Sequence, residues 1–328
     1  MSQSSKAKEN DMAGSKGGSA SAAGVKGVFS HMKYEHLIAG VSGGVTSSVV
    51  LHPLDLIKVR FAVNDGRTSM PQYNSIRNAL VTIYKQEGIR GLYRGVVPNV
   101  WGSGTAWGLY FLFYNTTKTW VQGGDPNMQL SWPMHMGAAA EAGILTLFLT
   151  NPLWVVKTRL CTQYGNEKPL YSGMIDCFNK IYKAEGIPGM YKGLVPGMIG
   201  VSHGAIQFMV YEEMKNWYNN YRGTVLSTRM STSEYLFFAA ASKLVAASIT
   251  YPYQVVRARL QDHHHNYAGT MDCVSKTWRF EGPRGFYKGL GASLSRVVPA
   301  TMITFVVYEN VSRYILDHPF RNRNMNKL

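Results

Sequence analysis

This 328-residue chain is short of acid and shorter still of cysteine. It has 19 Asp and Glu against 34 Lys and Arg, for a formal charge of +15. The three cysteines are Cys161, Cys177 and Cys273, with no CxxC pair. That excludes a disulfide framework and a cysteine zinc site. Residues 1–30 contain no arginine but include Glu9 and Asp11. Transit peptides are usually Arg-rich and acid-poor, so this Ser-, Gly-, Ala- and Lys-rich stretch reads as a disordered tail. Charge is missing altogether from Leu37–Leu54, Gly95–Thr117 and Gly193–Tyr211. Eighteen helical residues span about 27 Å, close to the thickness of a bilayer core. No nucleophile–base pair or metal cluster is expected in the cavity that such segments would enclose, so an enzyme is not indicated.

Mean hydropathy is only −0.13 and does not announce a membrane protein. Shorter clean runs at Ala142–Val156, Leu244–Val256 and Val297–Tyr308 are extended by small or weakly polar residues. A helical bundle around a water-filled cavity has this pattern, because one face of each helix need not meet lipid. A soluble helical solenoid is the alternative.

What the chain does have is a threefold repeat. Pro53-Leu54-Asp55-Leu56-Ile57-Lys58-Val59-Arg60 returns as Pro152-Leu153-Trp154-Val155-Val156-Lys157-Thr158-Arg159. It returns again as Pro252-Tyr253-Gln254-Val255-Val256-Arg257-Ala258-Arg259. Each copy ends a long apolar segment, where a proline kinks a helix. A second motif follows each: Glu87-Gly88 to Tyr93-Arg94-Gly95, Glu185-Gly186 to Tyr191-Lys192-Gly193, and Glu281-Gly282 to Tyr287-Lys288-Gly289. Tyr73, Tyr171 and Tyr267 each precede the Glu-Gly pair by 14 residues. Cys177 and Cys273 follow two of these tyrosines at equivalent places and are expected to be buried on short helices.

The long helices are expected at about Tyr34–Val63, Gly95–Trp120, Ser131–Gln163, Leu194–Tyr218, Ser233–Gln261 and Leu290–Leu316. Short surface helices are expected at Ser75–Gln86, Met174–Ala184 and Thr270–Phe280. Gly40 to Gly44 lacks the Lys-Ser/Thr end of a phosphate loop. Gly40 and Gly44 instead place small residues on one helix face for close packing. His263-His264-His265 reads as a solvated loop, since three adjacent histidines cannot all face one metal.

Positive charge concentrates after the first long helix of each repeat. Lys58–Arg94 has seven bases and two acids, while Lys157–Lys192 and Arg257–Lys288 each have six and three. The connectors Lys118–Ser131 and Glu212–Glu234 balance to zero. This is a positive-inside asymmetry, with both termini on the far side. No single face joins that charge to stacking aromatics, so nucleic acid is not indicated as a partner.

These residues resemble the mitochondrial carrier family, over roughly Tyr34 to Ile315. Within it, Ala39-Gly40-Val41-Ser42-Gly43-Gly44, Asn151-Pro152-Leu153-Trp154 and Tyr251-Pro252-Tyr253-Gln254 running into Arg257-Ala258-Arg259-Leu260-Gln261-Asp262 are most similar to carriers of folate and FAD. The resemblance implies an all-α membrane protein with six transmembrane helices in three pseudo-symmetric repeats around a central cavity. Three short surface helices would lie on the matrix side. The repeats would occupy 34–122, 131–222 and 232–316, followed by a basic tail at 317–328. It also implies internal targeting to the mitochondrial inner membrane, a monomer, no cofactor, and cardiolipin as a lipid partner.

Two gates follow from the resemblance. At the matrix end Asp55 would meet Arg257, Trp154 would lie over Lys58, and Gln254 would face Lys157. Trp154 and Gln254 depart from the family pattern by replacing acids. At the cytoplasmic end Lys118 would pair with Glu212, Lys215 with Glu309, and Ser312 with Asn115. Between them, counting from the last glycine of the second motif gives substrate contacts at Gly102, Gly200 and Arg296. Gly200-Val201 resembles the marker of carriers for adenine-containing substrates. Helical spacing adds Asn99, His203, Gln207 and Ser293, and Lys243 by its phase relative to Gln254. Glu141 is also intramembrane, off the axis. An arginine in mid-span is a functional residue by default and a natural anion clamp.

The expected function is alternating-access transport of an anionic, ring-containing cofactor, FAD or folate. NAD, coenzyme A and pyrimidine nucleotides are alternative substrates. An ion-conducting or uncoupling protein is the alternative of a different class.

Overall fold

The computed structural model describes residues 34–317 apart from 68–69, 124–127, 129, 166–168 and 223–230. The expected N-terminal tail, and the basic C-terminal tail beyond Asp317, lie outside the described residues. Everything described is helix, turn or loop.

Repeat 1 comprises α1 (Tyr34–Val50), α2 (His52–Val63), α3 (Ile76–Leu92) and α4 (Val96–Val121). Repeat 2 comprises α5 (Trp132–Cys161), α6 (Met174–Met190), α7 (Leu194–Ile199) and α8 (Ser202–Arg222). Repeat 3 comprises α9 (Thr232–Gln261), α10 (Thr270–Glu281), a 3-10 turn at Pro283–Tyr287 and α11 (Leu290–Asp317). Pro53 sits at the start of α2, and Leu51 breaks the helix before it. Pro152 and Pro252 instead lie inside continuous helices.

Among the described residues, three segments are long and apolar enough to cross a membrane: Trp132–Cys161, Leu194–Arg222 and Pro283–Tyr314. Ile38–Val50 is apolar but shorter. Neither α4 nor α9 reaches that standard: α4 is rich in Gly, Ser, Thr, Trp and Tyr, and α9 carries Lys243 in mid-helix.

The second long helix of each repeat packs chiefly on the first of the next: α4 on α5, α8 on α9, and α11 back on α1. This closes the bundle into a ring. The closest approach on α1 is at Gly43, where a Cβ would lie 2.8 Å from the Thr304 carbonyl oxygen. Ala39, Gly43 and Ser47 are the buried face, and Ser47 Oγ donates to the Ala300 carbonyl at 3.3 Å. The packing face is thus one residue earlier than the expected Gly40 and Gly44, which have nothing within 4 Å.

The surface helices run past their expected ends. α3 continues to Leu92 through a kink at Gly88, whose φ is +68°. Gly186 (φ +66°) and Gly282 (φ +64°) turn the chain at the same place in the other repeats. Cys177 and Cys273 are buried on α6 and α10 as expected. Burial pushes their thiols up to about 12 and about 11, which makes them packing residues rather than nucleophiles.

Candidate functional site

The motif end is tied by three equivalent knots. Arg60 clasps Glu87 with two bonds, of 2.6 and 3.1 Å. Arg159 does the same to Glu185 and Arg259 to Glu281. Each arginine also reaches into the next repeat. Arg60 Nε donates to the Cys161 carbonyl at 2.9 Å, Arg159 Nε to that of Gln261 at 3.2 Å, and Arg259 Nε to that of Ala62 at 2.9 Å. All three arginines are essentially fully buried. Burial of such charges is tolerated only with this kind of bidentate pairing and full hydrogen bonding. A second base joins each glutamate: Arg94 at 3.0 Å, Lys192 at 2.8 Å and Lys288 at 2.6 Å. Arg60, Arg159 and Arg259 fall outside the gate residues expected from the sequence. The overlooked signal was a base two residues beyond Lys58, Lys157 and Arg257 in every repeat, always followed by a Glu-Gly.

The last glycine of the second motif locks the same neighbours. Gly95, Gly193 and Gly289 have φ of +81°, +75° and +87°. A Cβ on Gly193 would lie 3.0 Å from the Arg257 carbonyl, and one on Gly289 would lie 2.8 Å from that of Lys58. Only glycine satisfies both the conformation and the approach.

Just inside this layer the expected pairings are corrected. Gln254 does not face Lys157: Lys58 Nζ donates to Gln254 Oε1 at 2.8 Å. Asp55 does not meet Arg257. It forms an ion pair with Arg296 at 3.1 Å and accepts from Asn99 Nδ2 at 3.5 Å. Arg257 donates to Asn151 Oδ1 at 3.3 Å. Trp154 does not cover Lys58. Its ring lies under Lys157 of its own helix, 5.2 Å away, while Lys58 lies over Tyr251 at 5.8 Å. The reason is rotational. A threefold arrangement lets each position look to either neighbour: Lys58 looks to repeat 3 and Arg257 to repeat 2, opposite in sense to Arg60, Arg159 and Arg259, which reach repeats 2, 3 and 1.

The expected contact points lie next to this layer, each facing the motif of the following repeat. A Cβ on Gly102 would touch the Trp154 ring at 3.7 Å, and one on Gly200 would lie 2.7 Å from the Tyr253 ring. Arg296 faces Asp55. The glycines therefore do not leave empty space for rings; an aromatic side chain of the protein already covers each. Val201 turns to its own repeat, where its methyls would meet a Cβ on Gly143 at 3.0 Å. The helix breaks between α7 and α8 at these two residues. His203 Nδ1 is 2.9 Å from Thr250 Oγ1. Lys243 is within electrostatic reach of Arg296 and His203. Gln207 and Ser293 are half-buried on α8 and α11, while Glu141 is exposed on α5.

The opposite end is different. The expected pairs Lys118–Glu212, Lys215–Glu309 and Ser312–Asn115 are not formed among the described residues. Lys215 turns to Glu212 of its own helix at 3.6 Å, and Glu309 to Arg313 of its own helix at 2.5 Å. These gate charges are satisfied on their own helices, and the repeats are joined at this end by other contacts: Arg222 with Glu234 at 3.0 Å, Tyr218 with Glu234 at 2.7 Å and Tyr114 with His135 at 2.9 Å.

A ring of helices in three repeats, knotted by arginines at the motif end over a cationic interior, defines a helical membrane transporter. The family profile described as Mitochondrial carrier protein matches residues 30–125, 128–222 and 228–319. The chain belongs to the mitochondrial carrier family, whose members are transporters and not enzymes. It is 42% identical over 299 residues to Folate transporter 1, chloroplastic, of Arabidopsis thaliana, covering 88% of this chain and 97% of that one. It is 38% identical over 291 residues to Nicotinamide adenine dinucleotide transporter 1, chloroplastic, of the same plant, covering 85% and 91%. It is 31% identical over 298 residues to the mitochondrial FAD carrier protein of Saccharomyces cerevisiae, covering 84% and 96%.

Proposed function

We propose that this carrier moves an anionic, ring-containing cofactor, FAD or folate, across the mitochondrial inner membrane by alternating access. Six spans would surround the path, with the motif end toward the matrix. The observation that carries this reading is Arg296. Its Nη1 is held by Asp55, while its Nε is buried with no partner among the described residues. Lys58 and Lys243 add positive charge to the same interior, against Asp55 as its acid. A phosphate or carboxylate displacing Asp55 from Arg296 would supply the differential contact that shifts the balance between the two gates. Trp154 and Tyr253 offer faces on which rings stack.

NAD is the second reading, supported by the 38% identity to a nicotinamide adenine dinucleotide transporter. Its anionic diphosphate and two ring systems suit the same cations and aromatic faces. Folate transporter 1 and nicotinamide adenine dinucleotide transporter 1 are named chloroplastic while other relatives are named mitochondrial, so localisation is part of the proposal. As the proposed lipid partner, cardiolipin would lie in the groove between Val97 and Trp101 on α4 and the start of α6 at Gly173 and Met174, where Asp176 also places a carboxylate.

The test is uptake into proteoliposomes of FAD, folate, NAD and coenzyme A in competition. Exchange of FAD or folate, blocked by excess of the same compound, supports the proposal. Proton flux without any of the four would replace it with an uncoupling function.

A further inference from the structure

The histidine run after α9 is not the solvated loop expected of it. His265 is buried among two carboxylates, and Asp262 is fully buried. Asp262 uses its two oxygens differently. Oδ2 accepts from the His264 backbone N–H at 2.9 Å and lies 3.0 Å from His265 Nδ1. Oδ1 faces the other way, 3.1 Å from His264 Nδ1 and 3.6 Å from His263 Nδ1. The two imidazole rings are 3.9 Å apart between centroids. One oxygen and two imidazole nitrogens therefore converge, all within 4.8 Å of one another.

From this geometry we propose a divalent transition-metal site, suited to zinc, formed by Asp262 Oδ1, His263 Nδ1 and His264 Nδ1. Ligand atoms about 2.0–2.1 Å from a tetrahedral zinc are roughly 3.3 Å apart, so small side-chain movements complete the shell. Two of the three histidines face the ion. The third, His265, holds the free carboxylate oxygen and passes its other nitrogen to Asp65 at 3.2 Å, as an outer-shell partner does. The fourth position is left to water, and His263 and His264 keep 16% and 14% of their side chains exposed for entry.

The site's position gives it a consequence. The His263 ring packs edge-on to Tyr171 at 5.7 Å and the His264 ring against Tyr164 at 5.5 Å, both in repeat 2. His265 reaches Asp65 of repeat 1. The cluster thus sits where all three repeats meet at the motif end. An ion that fixes these rings holds that end closed. This second half rests on the alternating-access reading; the binding half does not.

The experiment uses the purified full chain in detergent, stripped with a chelator and titrated with zinc against a chromophoric competitor. One zinc per chain is expected. His265→Gln should weaken it about 10–100-fold, and His263→Gln with His264→Gln should abolish it. X-ray absorption on wild type should show nitrogen and oxygen ligands and no sulfur, a readout that does not depend on a variant folding. No bound zinc, undiminished binding in the double variant, or a sulfur ligand would each overturn the site. Zinc applied to the motif side of reconstituted carrier should slow exchange several-fold. Unchanged exchange with zinc bound would overturn the lock while leaving the site standing.

Discussion

Lys58 Nζ donates to Gln254 Oε1 at 2.8 Å, an ion-to-amide hydrogen bond that joins repeat 1 to repeat 3 just inside the arginine layer, beside the Asp55–Arg296 pair. Replacing Gln254 with Glu turns it into an ion pair and adds Coulomb attraction to the hydrogen bond. The gain falls only on the state closed at the motif end, on the order of 1 kcal/mol. Gln254→Glu should therefore melt higher and exchange substrate more slowly. Thermal unfolding and initial uptake rates measured together check both signs; faster exchange would mean that this contact does not limit opening.

Arg296→Ala should abolish uptake. It also leaves the buried carboxylate of Asp55 without its ion pair; with the Arg296 side chain a third exposed, the loss is about 1–3 kcal/mol. Asp55→Asn combined with Arg296→Gln removes both charges and should recover the melting temperature without recovering uptake. Recovered transport in that double variant would show that the arginine is structural.

Much of this was legible because three copies of one pattern were present. Proline spacing alone placed the three motifs at one depth. The partners were not legible, because Lys58 has a neighbouring repeat on either side and the sequence does not say which way the ring turns. Lys58 turns to Gln254 of repeat 3 and Arg257 to Asn151 of repeat 2, opposite in sense to Arg60, Arg159 and Arg259, whose carbonyl partners at Cys161, Gln261 and Ala62 carry no side-chain signal. The far-end pairs were unreadable for another reason. Glu212 and Glu309 each have a base one turn away on the same helix, and are satisfied there. The covered state of Gly102 and Gly200 was hidden because Trp154 and Tyr253 come from the next repeat.

Acid should loosen the second knot through Glu185. Its hydrogen bond to Arg159 holds its carboxyl down at about 2, against an ordinary 4.5. A depressed carboxyl adds stability that is complete above 4.5 and is lost as pH falls from there toward 2. Glu185→Gln should flatten the pH dependence of melting in that window and lower stability near neutral pH. An unchanged pH profile would mean the ion pair does not persist in solution.

Gly289→Ala should destabilise the fold. Its φ of +87° costs a side chain about 1 kcal/mol, and the Cβ would meet the Lys58 carbonyl at 2.8 Å. Gly204→Ala is the control, a helical glycine with nothing within 4 Å, and should be neutral or slightly stabilising. Melting temperatures of the two variants should move apart by several degrees.

The last prediction concerns Gly200 and Tyr253. A Cβ at Gly200 would lie 2.7 Å from the Tyr253 ring, so Gly200→Ala pushes that ring toward the cavity whatever the ligand. Overpacking of this kind costs about 1–3 kcal/mol. Were Gly200 an adenine shelf, the loss would fall on FAD and NAD and spare folate. With the tyrosine already on it, all three should weaken together, by roughly tenfold for each 1.4 kcal/mol. Tyr253→Leu in the Gly200→Ala background relieves the clash and should restore part of the affinity for each. Ligand-induced thermal stabilisation, measured for the three compounds on wild type, single and double variants, separates the cases. A loss confined to the two adenine-containing ligands would return the shelf to Gly200 and would also favour FAD over folate as cargo.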